Sequence, residues 1–460
     1  MSDANEREFS FTTVRDAVVR RFGGGLLGAV WMVAVGAAAV RVAAAIKDLV
    51  VANRFGTGDA LDAFLMAFAL TIFLTSTFRS AFISAFVPRF LEAGARDGPE
   101  GASDLLRRTL LVHLVLLAAL ALALVICAPS VVEVIAGAFP PDKRELTRRL
   151  LVALAPFIVL DGAAGVYTAT LNARGRFVTA ALVATIPPLV TLVAVASLSA
   201  RYGVYALVGG AVAGAALEAV ASAALVRRQG VRVLPAFARP GLAGVEVFKA
   251  FAILAGGGAL MSANTVVDQA MAATAGGGSV AALGFAAKIP AAVLGLSGLA
   301  LGTTMLPHYA ELAASRRFGE MASALRRHAV RIGVVGAAVA VLLATVSRPL
   351  VRLLFEHGSF GPADTARVAT IQSLYALQIP GFLVSIVAAR YLNALGRDRW
   401  ILAVSALNFV LNFAGNWVLL RWMGLPGIAL STSLFYGVAA TILLILCRRA
   451  IREKASPHTP

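Results

Sequence analysis

Residues 41–92, RVAAAIKDLVVANRFGTGDALDAFLMAFALTIFLTSTFRSAFISAFVPRFLE, carry the reading on which the fold turns. They form a hairpin of two helices apolar enough to lie in lipid, yet Arg41, Lys47, Asp48, Asp62 and Arg79 sit in or beside them. A charge at bilayer depth costs several kcal/mol on insertion scales, so such residues normally face a watery interior and mark a pathway. The hairpin is expected to line a cationic, water-filled cavity that handles an anionic, lipid-linked cargo.

Working outward, the whole chain is as oily as this stretch. Of 460 residues, 59% are apolar and 14% charged, and the mean hydropathy is +0.83, which excludes a soluble globule and indicates a polytopic membrane protein. The net charge of +17 raises the question of nucleic acid, but the basic residues fall in short clusters between apolar runs. That is the pattern of cytoplasmic loops, so no nucleic-acid partner is expected. Cys127 and Cys447 lie in apolar segments near opposite membrane faces, which predicts neither a disulfide nor a metal motif. The first 24 residues lack a signal-peptide pattern, so the first apolar run is read as a retained helix.

A spanning helix needs about 20 apolar residues. That rule gives twelve spans, near 25–46, 61–90, 109–136, 148–172, 178–200, 204–226, 247–274, 280–312, 328–347, 366–394, 400–420 and 426–447. The distribution of Arg and Lys puts both termini in the cytoplasm, with Lys143, Arg144, Arg148 and Arg149 as an exception on the outer side. The sequence also repeats. Leu171-Asn172-Ala173-Arg174-Gly175-Arg176 recurs as Leu392-Asn393-Ala394-Leu395-Gly396-Arg397, and Phe139, Gly203 and Arg227-Arg228 recur as Phe360, Gly424 and Arg448-Arg449, all at an offset of 221. Pro88, Glu92 and Leu106-Arg107-Arg108 recur as Pro307, Glu311 and Leu325-Arg326-Arg327 at an offset of 219. The fold class read from this is an all-α polytopic protein with two homologous six-helix lobes around a central cavity. The lobes are 1–228 and 247–460, joined by a cytoplasmic linker, 229–246, rich in Pro, Gly and Arg.

The opening stretch through Phe68, followed by AFVPRF at 85–90, resembles the MurJ/MviN lipid II flippases of the multidrug/oligosaccharidyl-lipid/polysaccharide exporter superfamily. GSVAALGFAAKIPAAVLGLSGLALGTTMLP at 278–307, LLFEHGSFGPADT at 353–365 and YLNALGRD at 391–398 agree with it in order. The resemblance implies two bundles opening alternately inward and outward in the bacterial inner membrane, without enzymatic chemistry. It implies a cargo of undecaprenyl-pyrophosphate-linked peptidoglycan precursor, moved to the outer leaflet by a single chain. It puts basic cavity residues at Arg41, Lys47 and Lys288, with Asp48 and Asp62 among the matching acidic positions. Lys47 and Lys288 stand where arginine is usual, which keeps the charge but loses the bidentate phosphate grip. Thr75 stands where a basic residue is usual, and Arg79, one turn along the same face, restores the charge. Many members carry two further helices after the twelfth, which this sequence, ending soon after Arg449, does not show.

Arg41, Lys47, Arg79 and Lys288 are therefore candidates for a pyrophosphate site, against the alternative that each snorkels or pairs with Asp48 or Asp62. Asp268, Asn408, Asn412 and Thr432, with Asn416 continuing the stripe, are candidates for a sodium site used in coupling. Interhelical hydrogen bonding is the competing explanation for the asparagines. Glu356 and His357 read as loop capping or gating, while Asp161 and Glu218 are either cavity residues or packing partners. Pro156, Pro187-Pro188, Pro290 and Pro380 predict breaks or kinks, and Gly256-Gly257-Gly258 close helix approach. The leading function is a lipid II flippase. Another polyprenyl-linked glycan, a multidrug exporter with an acidic or apolar cavity, and a glycosyltransferase or scaffold remain as alternatives.

Overall fold

A computed structural model describes residues 26–236, 247, 251 and 263–455. The first half comprises α1 (Leu26–Phe55), α2 (Asp59–Ala136), α3 (Pro141–Ala173), α4 (Phe177–Val183), α5 (Ile186–Tyr202) and α6 (Tyr205–Arg227). After α7 (263–273) come α8 (Ser279–Ala314), α9 (Phe318–Thr345), α10 (Ser347–Phe355), α11 (Pro362–Ala376), α12 (Gln378–Ala394), α13 (Asp398–Met423) and α14 (Pro426–Ala455). In hydrocarbon only structures that satisfy their own backbone groups survive, and helices do so within one segment. Among the described residues nine helices are long and apolar enough to cross a membrane. One of these, α2, would be about 117 Å long if straight and is two passes meeting at Gly98, whose φ of 69° and ψ of −167° break it.

The all-helical, polytopic reading holds, with adjustments. α1 runs to Phe55, past the expected end at 46, so Lys47 and Asp48 lie inside a helix and not at its edge. Pro187 and Pro380 follow real breaks, at Ala184–Thr185 and Leu377, whereas Pro156 and Pro290 sit within unbroken helices. Most of the seventh expected span, Gly256–Gly258 and 237–246 of the linker lie outside the described residues. Cys127 and Cys447 are free thiols.

The repeat in sequence is also a repeat in backbone. Helix α3 ends with Gly175 N–H on the Asn172 carbonyl and Arg176 N–H on the Leu171 carbonyl, both 2.9 Å. Helix α12 ends with Gly396 on Asn393 and Arg397 on Leu392, again both 2.9 Å. This is the paired cap that a left-handed glycine closes, built twice from the two copies of the hexapeptide.

Packing is mostly within each half, the main cross-half pairs being α2 with α8 and α1 with α10. One apolar core crosses between the halves, joining Leu61, Phe64 and Leu150 to Val280, Phe285, Phe355 and Phe360. Farther along the helices the cores separate, one around Phe82 and Phe86, another around Tyr309 and Tyr391. At the shared end the backbones meet: Ser359 N–H donates to the Asn53 carbonyl at 2.8 Å, and a Cβ on Gly56 or Gly358 would overlap the opposing strand of chain. The Thr57 hydroxyl reaches Asp364, which also caps its own helix through Gly361 N–H at 2.9 Å. At the opposite end, Arg107 donates to the Leu234 carbonyl and Tyr167 to that of Val233, tying the start of the linker to the first half, while Arg397 pairs with Glu453 within the second. Among the described residues the two halves are closed against each other at one end and divided at the other, except where Val247 and Phe251 pack beside Phe78 and Phe82 in the core of the first half.

Candidate functional site

Helix α8 organises the division. Ala281, Lys288, Gly295 and Gly302 are seven residues apart, just under two helical turns and about 10.5 Å of rise, so they share a face. Each meets a charged group. Ala281 N–H donates to Asp62 Oδ1 at 2.7 Å, Lys288 Nζ lies 2.8 Å from Asp48 Oδ2, a Cβ at Gly295 would overlap the Arg41 guanidinium, and one at Gly302 would come within 3.2 Å of Arg390 Nη2. Going up α1 from Arg41 to Asp48 corresponds to going down α8 from Gly295 to Lys288, so the two helices run antiparallel. They are not a closely packed pair; long side chains bridge the space between them.

Lys47 completes the middle rung, its Nζ 3.0 Å from Asp48 Oδ1. Lys47, Asp48 and Lys288 are thus brought together, with Arg41 one rung away and exposed. Asp48 is only 15% exposed while Lys288 is 42% exposed, so the carboxylate is set back and the ammonium faces the gap. Three cations against one carboxylate leave the rungs positive. An anionic headgroup entering the gap would compete with Asp48 for the two lysines.

Asp62 and Arg79 are not part of this cluster. Asp62 is fully buried at the closed end, where Lys143 Nζ lies 2.6 Å from Oδ2 and 2.7 Å from Asp59 Oδ1. Its other oxygen takes an N–H from the first turn of α8, whose own N-cap is a glycine, so a residue of one half caps a helix of the other. Arg79 points into the first half, its Nη1 3.3 Å from Asp161 Oδ1, with the Thr75 hydroxyl beside the same carboxylate. Lys143 and Arg390 were not singled out from the sequence. Lys143 looked like a topological exception, and only its partners, more than 80 residues away, give it a role.

The second candidate set lies within the second half. Asn416 is its hub, with Nδ2 donating to Asp268 Oδ1 at 2.6 Å and to Asn412 Oδ1 at 2.9 Å; Asn412 Nδ2 donates to the Thr432 hydroxyl at 3.3 Å. Asp268, Asn412 and Thr432 border a cavity of about 260 Å³ that also takes in Asn408, Tyr375 and Gln378. The Oδ1 atoms of Asn264, Asn408 and Asn416 and Oε1 of Gln269 are buried without a hydrogen-bond donor. Unpartnered amide oxygens beside a carboxylate are the ligand chemistry of a small hard cation, and the residues present fit one. Among the described residues Glu356 pairs with Arg352, at 3.5 Å, and the His357 carbonyl closes the turn by accepting from Phe360 N–H.

The sequence model of the family described as "Lipid II flippase MurJ" matches residues 51–457. A Rhizobium meliloti protein described as "Probable lipid II flippase MurJ" is 29% identical over 353 residues, covering 74% of this chain and 65% of the relative. A Synechocystis protein with the same description is 24% identical over 420 residues, covering 87% and 77%. This chain therefore spans slightly less than two thirds of the first relative's length. Among solved structures, "Lipid II flippase MurJ, inward closed conformation" superposes with a TM-score of 0.78 at 21% identity, covering 92% of this chain and 89% of that one. An inward-facing multidrug resistance MATE family transporter superposes at 0.73 with 15% identity, covering 92% and 100%. These likenesses give the fold, a multi-pass membrane transporter fold, and the match over most of the sequence gives the family: the chain belongs to the lipid II flippase MurJ family.

Proposed function

We propose that this protein flips a polyprenyl-pyrophosphate-linked glycan, the peptidoglycan precursor lipid II, from the inner to the outer leaflet of the bacterial inner membrane. The observation that carries the reading is the charged face of α8, where Lys288, Lys47 and Arg41 line the space between the halves around a recessed Asp48. Pyrophosphate needs several cations in a partly dry space, where attraction exceeds that in bulk water. With both termini in the cytoplasm, the closed end lies outside and the divided end opens inward, the arrangement a flippase needs to load. One chain suffices for this reading, because both walls of the gap belong to it.

In this reading the oxygens of Asp268, Asn408, Asn412 and Thr432, with Asn416 positioning the carboxylate, would hold a sodium ion that supplies coupling energy. A multidrug exporter is disfavoured, since organic cations would meet Arg41 and Lys288. Another polyprenyl-linked glycan stays as the second reading, because Lys47 and Lys288 stand where the family usually has arginine and Thr75 where it usually has a basic residue. The test is complementation of a strain depleted of its lipid II flippase, read by precursor accumulation. Rescue is expected; a chain that reaches the membrane without relieving accumulation would transfer the assignment to another glycan.

A further inference from the structure

The first half encloses a second ionisable group of residues, away from α8. Arg79 of α2 pairs with Asp161 of α3 at 3.3 Å, its stem lying on Gly165, where a Cβ would overlap it. Glu218 lies on α6, which packs against α3, and is close enough to interact electrostatically with both. It is 5% exposed, and among the described residues no donor reaches its carboxylate; the neighbouring Ser222 hydroxyl turns to the Glu218 carbonyl instead. Helix α3 contributes Asp161 and α2 contributes Arg79; α4 and α5, which also pack on α6, set no charged or titratable group against Glu218 among the described residues.

The repeat shows that the fold does not require these charges. Shifted by the offsets of 219 and 221, Arg79, Asp161 and Glu218 become Gly298, Phe382 and Ala439. The second half packs the equivalent surfaces with apolar groups: a Cβ at Gly298 would lie 3.9 Å from the Phe382 ring. Packing alone therefore leaves the three ionisable groups unexplained. With all three ionised the set carries one negative charge too many, and a lone buried carboxylate is strongly disfavoured. One proton taken from water on Glu218 removes the excess and gives it an O–H to donate.

We propose that Glu218, with Asp161 and Arg79, forms a proton-binding site in the first half, separate from the oxygen-lined cavity of the second. Resting on the flippase reading, a further consequence follows for Arg79, which is 39% exposed. A pyrophosphate that draws its guanidinium off Asp161 leaves two carboxylates without a cation, so headgroup binding is accompanied by proton uptake and strengthens as pH falls through the titration of the pair.

The experiment is infrared difference spectroscopy of the purified protein across pH without ligand, followed by proton uptake on adding undecaprenyl pyrophosphate in weakly buffered detergent. Wild type is expected to show a protonated-carboxyl band that titrates, that moves when glutamate is isotopically labelled, and that is absent in Glu218→Gln and present in Glu218→Asp. A band unaffected by glutamate labelling, or equal in wild type and Glu218→Gln at every pH, overturns the site, and the labelling arm decides even where a variant fails to fold. A titrating glutamate band in a protein that does not bind the pyrophosphate lipid would retain the proton site and remove the flippase reading. Binding without proton uptake would overturn the link to Arg79.

Discussion

Asp48 in the first half and Asp268 in the second occupy equivalent places in the repeat, at the offset of 220 that sets Gly56 on Gly276, and they keep different company. Asp48 sits between two lysines on the wall of the gap, whereas Asp268 is held by the amide of Asn416 among asparagines and a threonine. The same contrast recurs at Lys143 and Asp364, which the offset of 221 also makes equivalent. Both reach back to the turn between α1 and α2, one as a buried cation on Asp59 and Asp62, the other as an acceptor for Thr57. The duplicated backbone kept its caps and turns while its interiors diverged. The first half buries charges against charges; the second buries amides and hydroxyls around one carboxylate. On the proposed reading, anion and proton chemistry belong to the first half and the gap, and hard-cation chemistry to the second.

The sharpest way to break this contrast is to delete a charge from the first half and an amide from the second. Lys143→Met leaves Asp62 ionised, buried and unpaired, which should cost about 3–5 kcal/mol. Gln372→Leu, which removes a fully buried amide whose Nε2 bonds the Ser347 hydroxyl at 3.0 Å, should cost only about 1–3 kcal/mol. Thermal unfolding midpoints in detergent compare the two, and equal losses would erase the distinction between the halves.

Sodium sharpens the contrast from the other side. A cation bound only by the folded protein stabilises it by about 2.7 kcal/mol at a hundredfold excess over Kd. Raising sodium at constant ionic strength, with choline as substitute, should lift the unfolding midpoint of wild type and of Asp48→Asn but not of Asp268→Asn. A shift abolished by Asp48→Asn instead would put the cation in the gap.

The smallest expected effect comes from a change that alters no charge. In Gly295→Val the new side chain occupies the space of the Arg41 guanidinium and must push it off its rung. Affinity for undecaprenyl pyrophosphate, measured by tryptophan quenching, should fall roughly tenfold, about 1.4 kcal/mol. The same substitution at Gly302 tests whether Arg390 belongs to the ladder.

Much of this was legible in the sequence, and the rest has a physical reason for escaping it. Apolar runs of spanning length are a one-dimensional property, so the spans could be read, and the hexapeptide repeat marked the two halves as homologous, though not that each copy closes a helix. Lys47, Asp48 and Lys288 stood out because charge in an apolar run is costly wherever it points. The rotation of each helix about its axis was not legible, and rotation decides partners. Asp62 and Asp48 lie on neighbouring helices of one hairpin, yet one faces the closed end and Lys143 while the other faces the gap. Asn416 is the hub and not merely the tail of an asparagine stripe because α13 turns it toward Asp268, which is 148 residues away in the chain.

The account is tested most directly by binding undecaprenyl pyrophosphate to purified wild type and to an Arg41→Gln/Lys288→Gln double variant at several salt concentrations. Two lost charge-assisted contacts, each about 1.5–3 kcal/mol, predict at least a hundredfold weaker binding and a shallower dependence on salt. Equal affinity and equal salt dependence in the two proteins would contradict a headgroup site on the charged face of α8.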